Sequence, residues 1–400
     1  MFLLRFVKKI VANIIRIVYR YTYNLISIDD KVIIFISFHG RGYSDNPRAI
    51  YEQMRQDARF KDYKFIWFIK NHKQKNIEIP GAEVKEYFSL PYFYYMSKAK
   101  YWIINCKLPT YICKKPDQIY LQTWHGTPLK RLGHDIIASD NATFYRSAMS
   151  FESMCQSYDI DVARYNYMIS PNKFCTEVFQ TSFGINRERL IETGYPRNDF
   201  ITNATADDVK SLKDKFHLPM DKKIILYAPT WRDDQFYEAG QYGFELDLDV
   251  NRLQEEFGDE YVLLLRLHYF IVDQLDLSKY GDFTVDGSSY DDITDLYLIS
   301  DMLITDYSSV FFDYANLKRP VLYYTYDLDK YRDVLRGFYL DMEKDLPGPL
   351  LLTNDEVVDA IKNIDKIKEQ YKDRYEEFYN RFCCVDDGHA AQRVVEKVFK

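Results

Sequence analysis

The sequence predicts an α/β protein of two doubly wound, Rossmann-type domains facing a cleft, preceded by an amphipathic helix. Three observations carry that expectation. Short apolar runs alternate with segments of helical character along most of the chain. A polar stretch, RNDFITNATADDVKSLKDKFHLPMD (197–221), interrupts the alternation, which then restarts. Four hundred residues also exceed one ordinary core and suit two of roughly 150–200 residues each.

Residues 1–23, MFLLRFVKKIVANIIRIVYRYTY, carry five basic residues, Arg5, Lys8, Lys9, Arg16 and Arg20, and no acid. Leu3, Phe6, Val7, Ile10, Ile14, Ile17, Val18 and Tyr21 recur at helical spacing, with Arg5, Lys9, Arg16 and Arg20 opposite. Charges interrupt the run too often for a spanning helix, and no small-residue cleavage site suggests a removable signal. The pattern predicts a helix lying in a membrane interface with its basic face toward anionic headgroups, the alternative being an amphipathic helix packed on the protein's own core.

Beyond it, KVIIFISF (31–38), YKFIWFI (63–69), YWIIN (101–105), IYLQTW (119–124) and YNYMIS (165–170) read as buried strands. NPRAIYEQMRQ (46–56) and SPNKFCTEVFQTSF (170–183) read as helices, the second capped by Ser170 with Pro171 in its first turn. After the polar break, KIILYAP (223–229), YVLLLRLH (261–268), DMLIT (301–305) and PVLYY (320–324) read as strands, and 351–382 as helices. Two such halves across a cleft make a GT-B-like arrangement.

Composition narrows the function classes. A net charge of −7 argues against a nucleic-acid binder that must neutralise many phosphates. Six cysteines without metal-ligand spacing predict reduced thiols, not a disulfide framework. Asp247 and Asp249 form a D-x-D without supporting neighbours, so no metal site is assigned. The aromatic excess, 36 Tyr and 27 Phe, suits a core, a membrane-facing surface or a sugar-binding cleft, and leaves homo-oligomerisation open.

Ligands of open parallel sheets bind outside the carboxyl ends of strands, so chemistry is sought there. IYLQTWHGTPLKRLGHD (119–135) ends a strand at His125, followed by Gly126 for a tight turn, Pro128 for a helix start, and basic Lys130 and Arg131. A histidine so presented can take a proton from an attacking hydroxyl. In YVLLLRLH, alternation puts Arg266 and His268 on one face, where paired donors can hold a phosphate. In DMLITDYSSVFFDYA (301–315) a strand leads into Ser308 and Ser309, which open a helix suited to a diphosphate, with Asp313 one turn on to reach a hydroxyl. Serine N-capping is expected there too. LYAPTWRDD (226–234) offers Thr230 and a stacking face at Trp231, and ETGYPRND (192–199) brings Arg197 to the cleft. His39 is a candidate acceptor contact and His134 a candidate member of the basic turn; His72, His217 and His389 read as surface or loop residues.

Together SFHGRGYSDNPRAIYE (37–52), QTWHGTPLKRLG (122–133), ETGYPRND, ILYAPTWRDD (225–234), LLRLH (264–268) and ITDYSSVFFDYA (304–315), followed by the weaker DDGHAAQRV (386–394), resemble the CDP-glycerol glycerophosphotransferase family of teichoic acid primases and polymerases. The chain thus divides into the helix at 1–23, a domain at 24–200 and a domain at 201–400; the resemblance implies that the second of these domains binds the CDP donor, which leaves 24–200 as the acceptor side. It implies transfer of glycerol phosphate or ribitol phosphate from CDP-glycerol or CDP-ribitol, a substrate and not a cofactor, to a lipid-linked saccharide or polyol-phosphate acceptor. CMP would leave, in teichoic acid or capsule synthesis at the cytoplasmic face of the membrane. His125 would be the base and His268 would assist at the diphosphate. Gly126, Thr127, Pro128, Lys130, Arg197, Thr230, Trp231, Arg266, Ser308, Ser309 and Asp313 would hold the donor. The family's longer polymerases carry an extra N-terminal region in place of the short helix, which leaves primase, short polymerase and ribitol-phosphate enzyme open. The rivals are a GT-B glycosyltransferase using a nucleotide-sugar, which would not need both histidines, and a silent scaffold of wall synthesis, which could lose either.

Overall fold

The computed structural model describes residues 13–137, 143–144, 149–230, 246–267, 277–328 and 337–399. Its frame is two parallel sheets. The first comprises β1 (Asp29–Ile36), β2 (Lys64–Ile69), β3 (Glu83–Glu86), β4 (Ala99–Ile104), β5 (Ile119–Gln122), β8 (Tyr167–Ser170) and β9 (Leu190–Glu192), ordered β3-β2-β1-β4-β5-β8-β9. Between β5 and β8 lies a short antiparallel pair, β6 (Thr143–Phe144) and β7 (Met149–Ser150). The second sheet comprises β10 (Lys223–Tyr227), β11 (Tyr261–Leu265), β12 (Thr284–Asp286), β13 (Met302–Thr305), β14 (Val321–Tyr324) and β15 (Leu350–Leu351), ordered β12-β11-β10-β13-β14-β15. The arrangement is GT-B-like.

The central strands are apolar without alternation because both of their faces are covered. On β1, Val32, Ile34 and Ile36 enter one core and Ile33 and Phe35 another. On β10, Ile224 and Leu226 divide from Ile225 and Tyr227 in the same way. All nine apolar runs form strands close to their expected limits. Four further strands, β3, β9, β12 and β15, are two to four residues long. Short or charged pieces such as EVKE at the sheet edge carry little apolar signal.

One local expectation is corrected and two features are added. The helix expected from Ser170 begins at Lys173, with the Asn172 side chain accepting from the Cys175 amide, because Ser170 is still in β8. The polar stretch 197–221 is largely helical, with Asp199–Asn203 and Ala206–Lys215; Thr205 and Asp208 form a capping box on the latter. The last helix, Ala390–Val398, returns to the first sheet, where Val394, Val395 and Val398 join the core of Ile33 and Phe35.

Residues 13–22 form helix α1. It is moored through Tyr19, whose hydroxyl donates to the Cys113 carbonyl at 2.9 Å and whose ring lies 5.1 Å from Phe93 on helix α3 (Leu90–Lys98). Arg16 stacks over Tyr111, 4.6 Å from the ring centre. Ile14, Ile17, Val18 and Tyr21, with Leu25 beyond, are exposed. The outward feature is thus an apolar stripe, while Arg16 turns back onto the protein. Arg20 is exposed; Arg5, Lys8 and Lys9 lie outside the described residues. Among the described residues no helix is long and apolar enough to cross a membrane.

Candidate active site

The strand ends of the first sheet converge on His125. From β5 the chain turns at Trp124, which adopts φ 53° and buries its ring against Phe183, 4.8 Å away. Asn46 holds this turn by donating to the carbonyls of Thr123 and Trp124, each at 3.2 Å. Phe38 and His39 after β1 (φ 43° and 58°) and Asp45 at the start of helix α2 (Asp45–Gln56; φ 63°) share this left-handed backbone. Each such non-glycine residue costs roughly 1–2 kcal/mol, and strain gathered on adjoining loops is characteristic of functional sites.

His125 lies deep in the cleft with its ring still open to solvent. Its Nδ1 is 2.6 Å from the Asn105 carbonyl oxygen, just past the end of β4. A carbonyl only accepts, so Nδ1 carries the proton and Nε2 keeps its lone pair. Burial lowers the His125 pKa, opposed by the Asn105 hydrogen bond and by Asp45. The ring is therefore neutral at pH 7 and fit to accept a proton. His39 is pushed down to about 4, chiefly by desolvation and then by the charges of Lys70 and Arg41.

Across the cleft, the first sheet's turn meets the second sheet's serines. A Cβ placed on Gly126 would lie 2.8 Å from Ser309 Oγ. The glycine is required by this approach; the sharp turn itself falls on Trp124. Ser308 and Ser309 precede the short helix Val310–Tyr314, and Ser309 makes no side-chain cap, contrary to expectation. Behind them Asp306 accepts from the amides of Thr230, at 2.8 Å, and Tyr307, at 2.5 Å, which fastens the loop after β10 to that after β13.

Other predicted donor residues are placed differently. No helix follows Pro128. Residues 129–131 instead pair with 337–339, through Arg131 N–H to Gly337 O at 3.1 Å and Tyr339 N–H to Leu129 O at 2.8 Å, with Lys130 bridged to Phe338. Thr127 and Pro128 are buried within this crossing. Arg266 spends one guanidinium nitrogen on the carbonyls of Gly287, Ser288 and Tyr290, supporting the loop after β12 where a phosphate contact was expected. Arg197 and Asp313, both predicted to hold the donor, are buried and hold each other, with Arg197 Nη2 at 3.0 and 2.8 Å from the Asp313 carboxylate oxygens. His134 pairs with Asp159 at 2.7 Å, well along the chain from the strand-end turn. Trp231 and His268 lie outside the described residues.

The site also contains residues the motifs did not single out. Arg197 Nη1 reaches Asp45 Oδ1 at 2.5 Å, Asn105 Nδ2 donates to Asp45 Oδ2 at 2.5 Å, and the Phe38 amide donates to Asn105 Oδ1 at 2.7 Å. Asp386 accepts from Tyr195 N–H at 2.9 Å and from the side-chain amides of Asn198 and Asn316 at 2.7 and 3.1 Å. Burial pushes its pKa up to about 7. A run such as YSDNP does hint at a helix start, but nothing local reveals that Asp45 faces Arg197. Among the described residues no three His, Cys, Asp or Glu side chains gather as a metal site, and the six cysteines are free.

The profile of the CDP-Glycerol:Poly(glycerophosphate) glycerophosphotransferase family matches residues 17–400. The chain is 43% identical over 404 residues to a teichoic acid poly(glycerol phosphate) polymerase of Staphylococcus epidermidis, covering 99% of this chain and 55% of that protein. It therefore spans about half the length of that relative. It is 42% identical over 376 residues to a teichoic acid glycerol-phosphate transferase of Staphylococcus aureus, covering 92% and 93% of the two chains. A solved structure of the wall teichoic acid polymerase TagF superposes with a TM-score of 0.89 at 43% identity, over 99% of this chain and 95% of that one.

Proposed function

The chain belongs to the CDP-glycerol:poly(glycerophosphate) glycerophosphotransferase family, and from that premise we propose that it transfers glycerol phosphate from CDP-glycerol to a hydroxyl of a lipid-linked acceptor. The observation that carries this reading is the meeting of the His125–Gly126 turn with Ser309 across the two sheets. A base and a diphosphate-side turn thereby share one cleft, as in-line transfer requires.

His125 Nε2 takes the proton from the acceptor hydroxyl as its oxygen attacks the phosphorus bearing the glycerol. That phosphorus gains the acceptor oxygen and loses the oxygen bridging to the cytidylyl phosphate. The bond's electron pair leaves with CMP, and the imidazolium returns its proton to solvent. Ser308 and Ser309 would bind the diphosphate, with His268 assisting as charge moves to the leaving group. Arg197, Asp313 and Arg266 act one layer further out, shaping the loops. Glycerol is preferred over ribitol here because both relatives named above carry glycerol phosphate in their names.

The exposed stripe of α1 supports peripheral attachment to a membrane, which would bring a lipid-linked acceptor to the cleft. The test is product analysis with CDP-glycerol and a lipid-linked acceptor ending in glycerol phosphate. The acceptor should gain mass in whole glycerol-phosphate units, with one CMP released per unit. Release of CDP in place of CMP would mean that another bond had broken and would refute the reading.

A further inference from the structure

Two sets of contacts fix His125, and both hang from one buried cation. The first runs through its ring. His125 Nδ1–H donates to the Asn105 carbonyl, and both polar atoms of the Asn105 side chain are engaged, one by the Phe38 amide and the other by Asp45. The opposite oxygen of Asp45 accepts from Arg197, and the Asp45 amide donates to Asp292 Oδ2 at 3.1 Å. The second set runs through the backbone. Asn46 donates to the carbonyls of Thr123 and Trp124, the two residues before His125, and its own oxygen accepts from the Arg197 amide at 3.1 Å. Arg197 in turn is clamped by Asp313, on the helix that follows Ser308 and Ser309.

We propose that Asp45 and Asn46, suspended from Arg197, are positioning residues for His125 and tie its placement to the helix behind the serines. Asp45, Asn46, Asn105 and Arg197 are buried, so none touches substrate. Their arrangement is a weak device for stability, since taking such charges out of water costs about as much as their attraction returns. It is a strong device for orientation. A carbonyl only accepts, so the Asn105 carbonyl selects the Nδ1–H form of the imidazole, and the two contacts on the Asn105 side chain fix where that carbonyl stands; second-layer contacts of this type set which nitrogen is the base. Because the far end of the chain of contacts is Asp313, a shift of the helix behind the serines is felt at the histidine. The inference deepens the transferase reading of this cleft and rests on it for its activity arm alone.

The test is Asp45→Asn, which keeps the shape and removes the charge. The groups facing His125 are Asp45 and Arg197, with His39 on the adjoining loop. Loss of the carboxylate removes the negative charge that favours a protonated His125 and leaves Arg197, still paired with Asp313, facing it, so the acid limb of kcat/KM should move to lower pH while kcat falls about 10- to 100-fold and the donor KM stays within about threefold. In 15N-histidine-labelled protein, with His125→Gln to assign the signal, the wild type should show the Nδ1–H form and Asp45→Asn a mixture of forms. This spectrum needs no donor or acceptor, so it stands or falls apart from the proposed reaction. Should Asp45→Asn fold poorly, Asn46→Ser leaves every charge in place and should also loosen the ring and lower kcat. Wild-type spectra, an unmoved acid limb and kcat within twofold of wild type, in whichever variant folds, would overturn the proposal.

Discussion

The stripe on α1 can be tested by replacing Ile14, Ile17 and Val18 together with Gln. These side chains are 54%, 58% and 52% exposed, so about half of each is already in water. Full burial of such a side chain is worth about 1.5–3 kcal/mol, and the exposed half about 1 kcal/mol. If the stripe enters the acyl boundary of a membrane, losing all three should weaken partitioning by about 3 kcal/mol, or roughly 100-fold. Tyr21 and Leu25, 80% and 81% exposed, would remain to give residual binding. Gln keeps good helix propensity, and surface changes of this type usually shift stability by no more than about 0.5 kcal/mol. Cosedimentation with vesicles of mixed neutral and anionic lipid, beside a thermal melt, reads both quantities. Unchanged partitioning would refute the membrane role. A melting temperature lowered by many degrees would show that the stripe covers the protein's own core.

Three further outcomes follow from the cleft and its supports. Gly126→Ala puts a methyl 2.8 Å from Ser309 Oγ, so initial rates of CMP release should fall at least tenfold while the melting temperature changes little. Arg197→Met leaves the carboxylates of Asp45 and Asp313 buried without their cation and should destabilise by about 3–5 kcal/mol, read by urea unfolding. Asp386, raised to about 7 in the folded chain from an unfolded value of about 3.9, binds a proton more readily when folded. Its contribution to stability is complete below about pH 4 and is lost as pH rises toward 7, so melting temperature against pH should decline over that window, and the decline should be shallower in Asp386→Asn.

The frame was legible in the sequence because buried parallel strands write themselves as unbroken apolar runs. Short strands such as Glu83–Glu86 were not, because sheet edges need little apolar surface. The place of His125 beyond a strand end was legible because a histidine after an apolar run, followed by glycine, has a local signature. Its supports were not. Asp45 and Arg197 are 152 positions apart, and Arg197 and Asp313 are 116 apart, so only the folded chain shows that one buried charge occupies the next. The same holds for the segment after Pro128. Proline suits a helix start locally, but pairing of 129–131 with 337–339 holds it extended. In α1 the period identified the apolar stripe, while the direction it faces was set by Tyr19 reaching Cys113.

The most direct measurement is CMP release from CDP-glycerol and from CDP-ribitol, each with a lipid-linked acceptor, by the wild-type chain and by His125→Ala. Release from CDP-glycerol should fall about 10²–10⁴-fold in the variant at unchanged melting temperature. Equal rates in the two proteins would remove His125 as the base, and no release from either donor by folded wild-type protein would contradict the transferase itself.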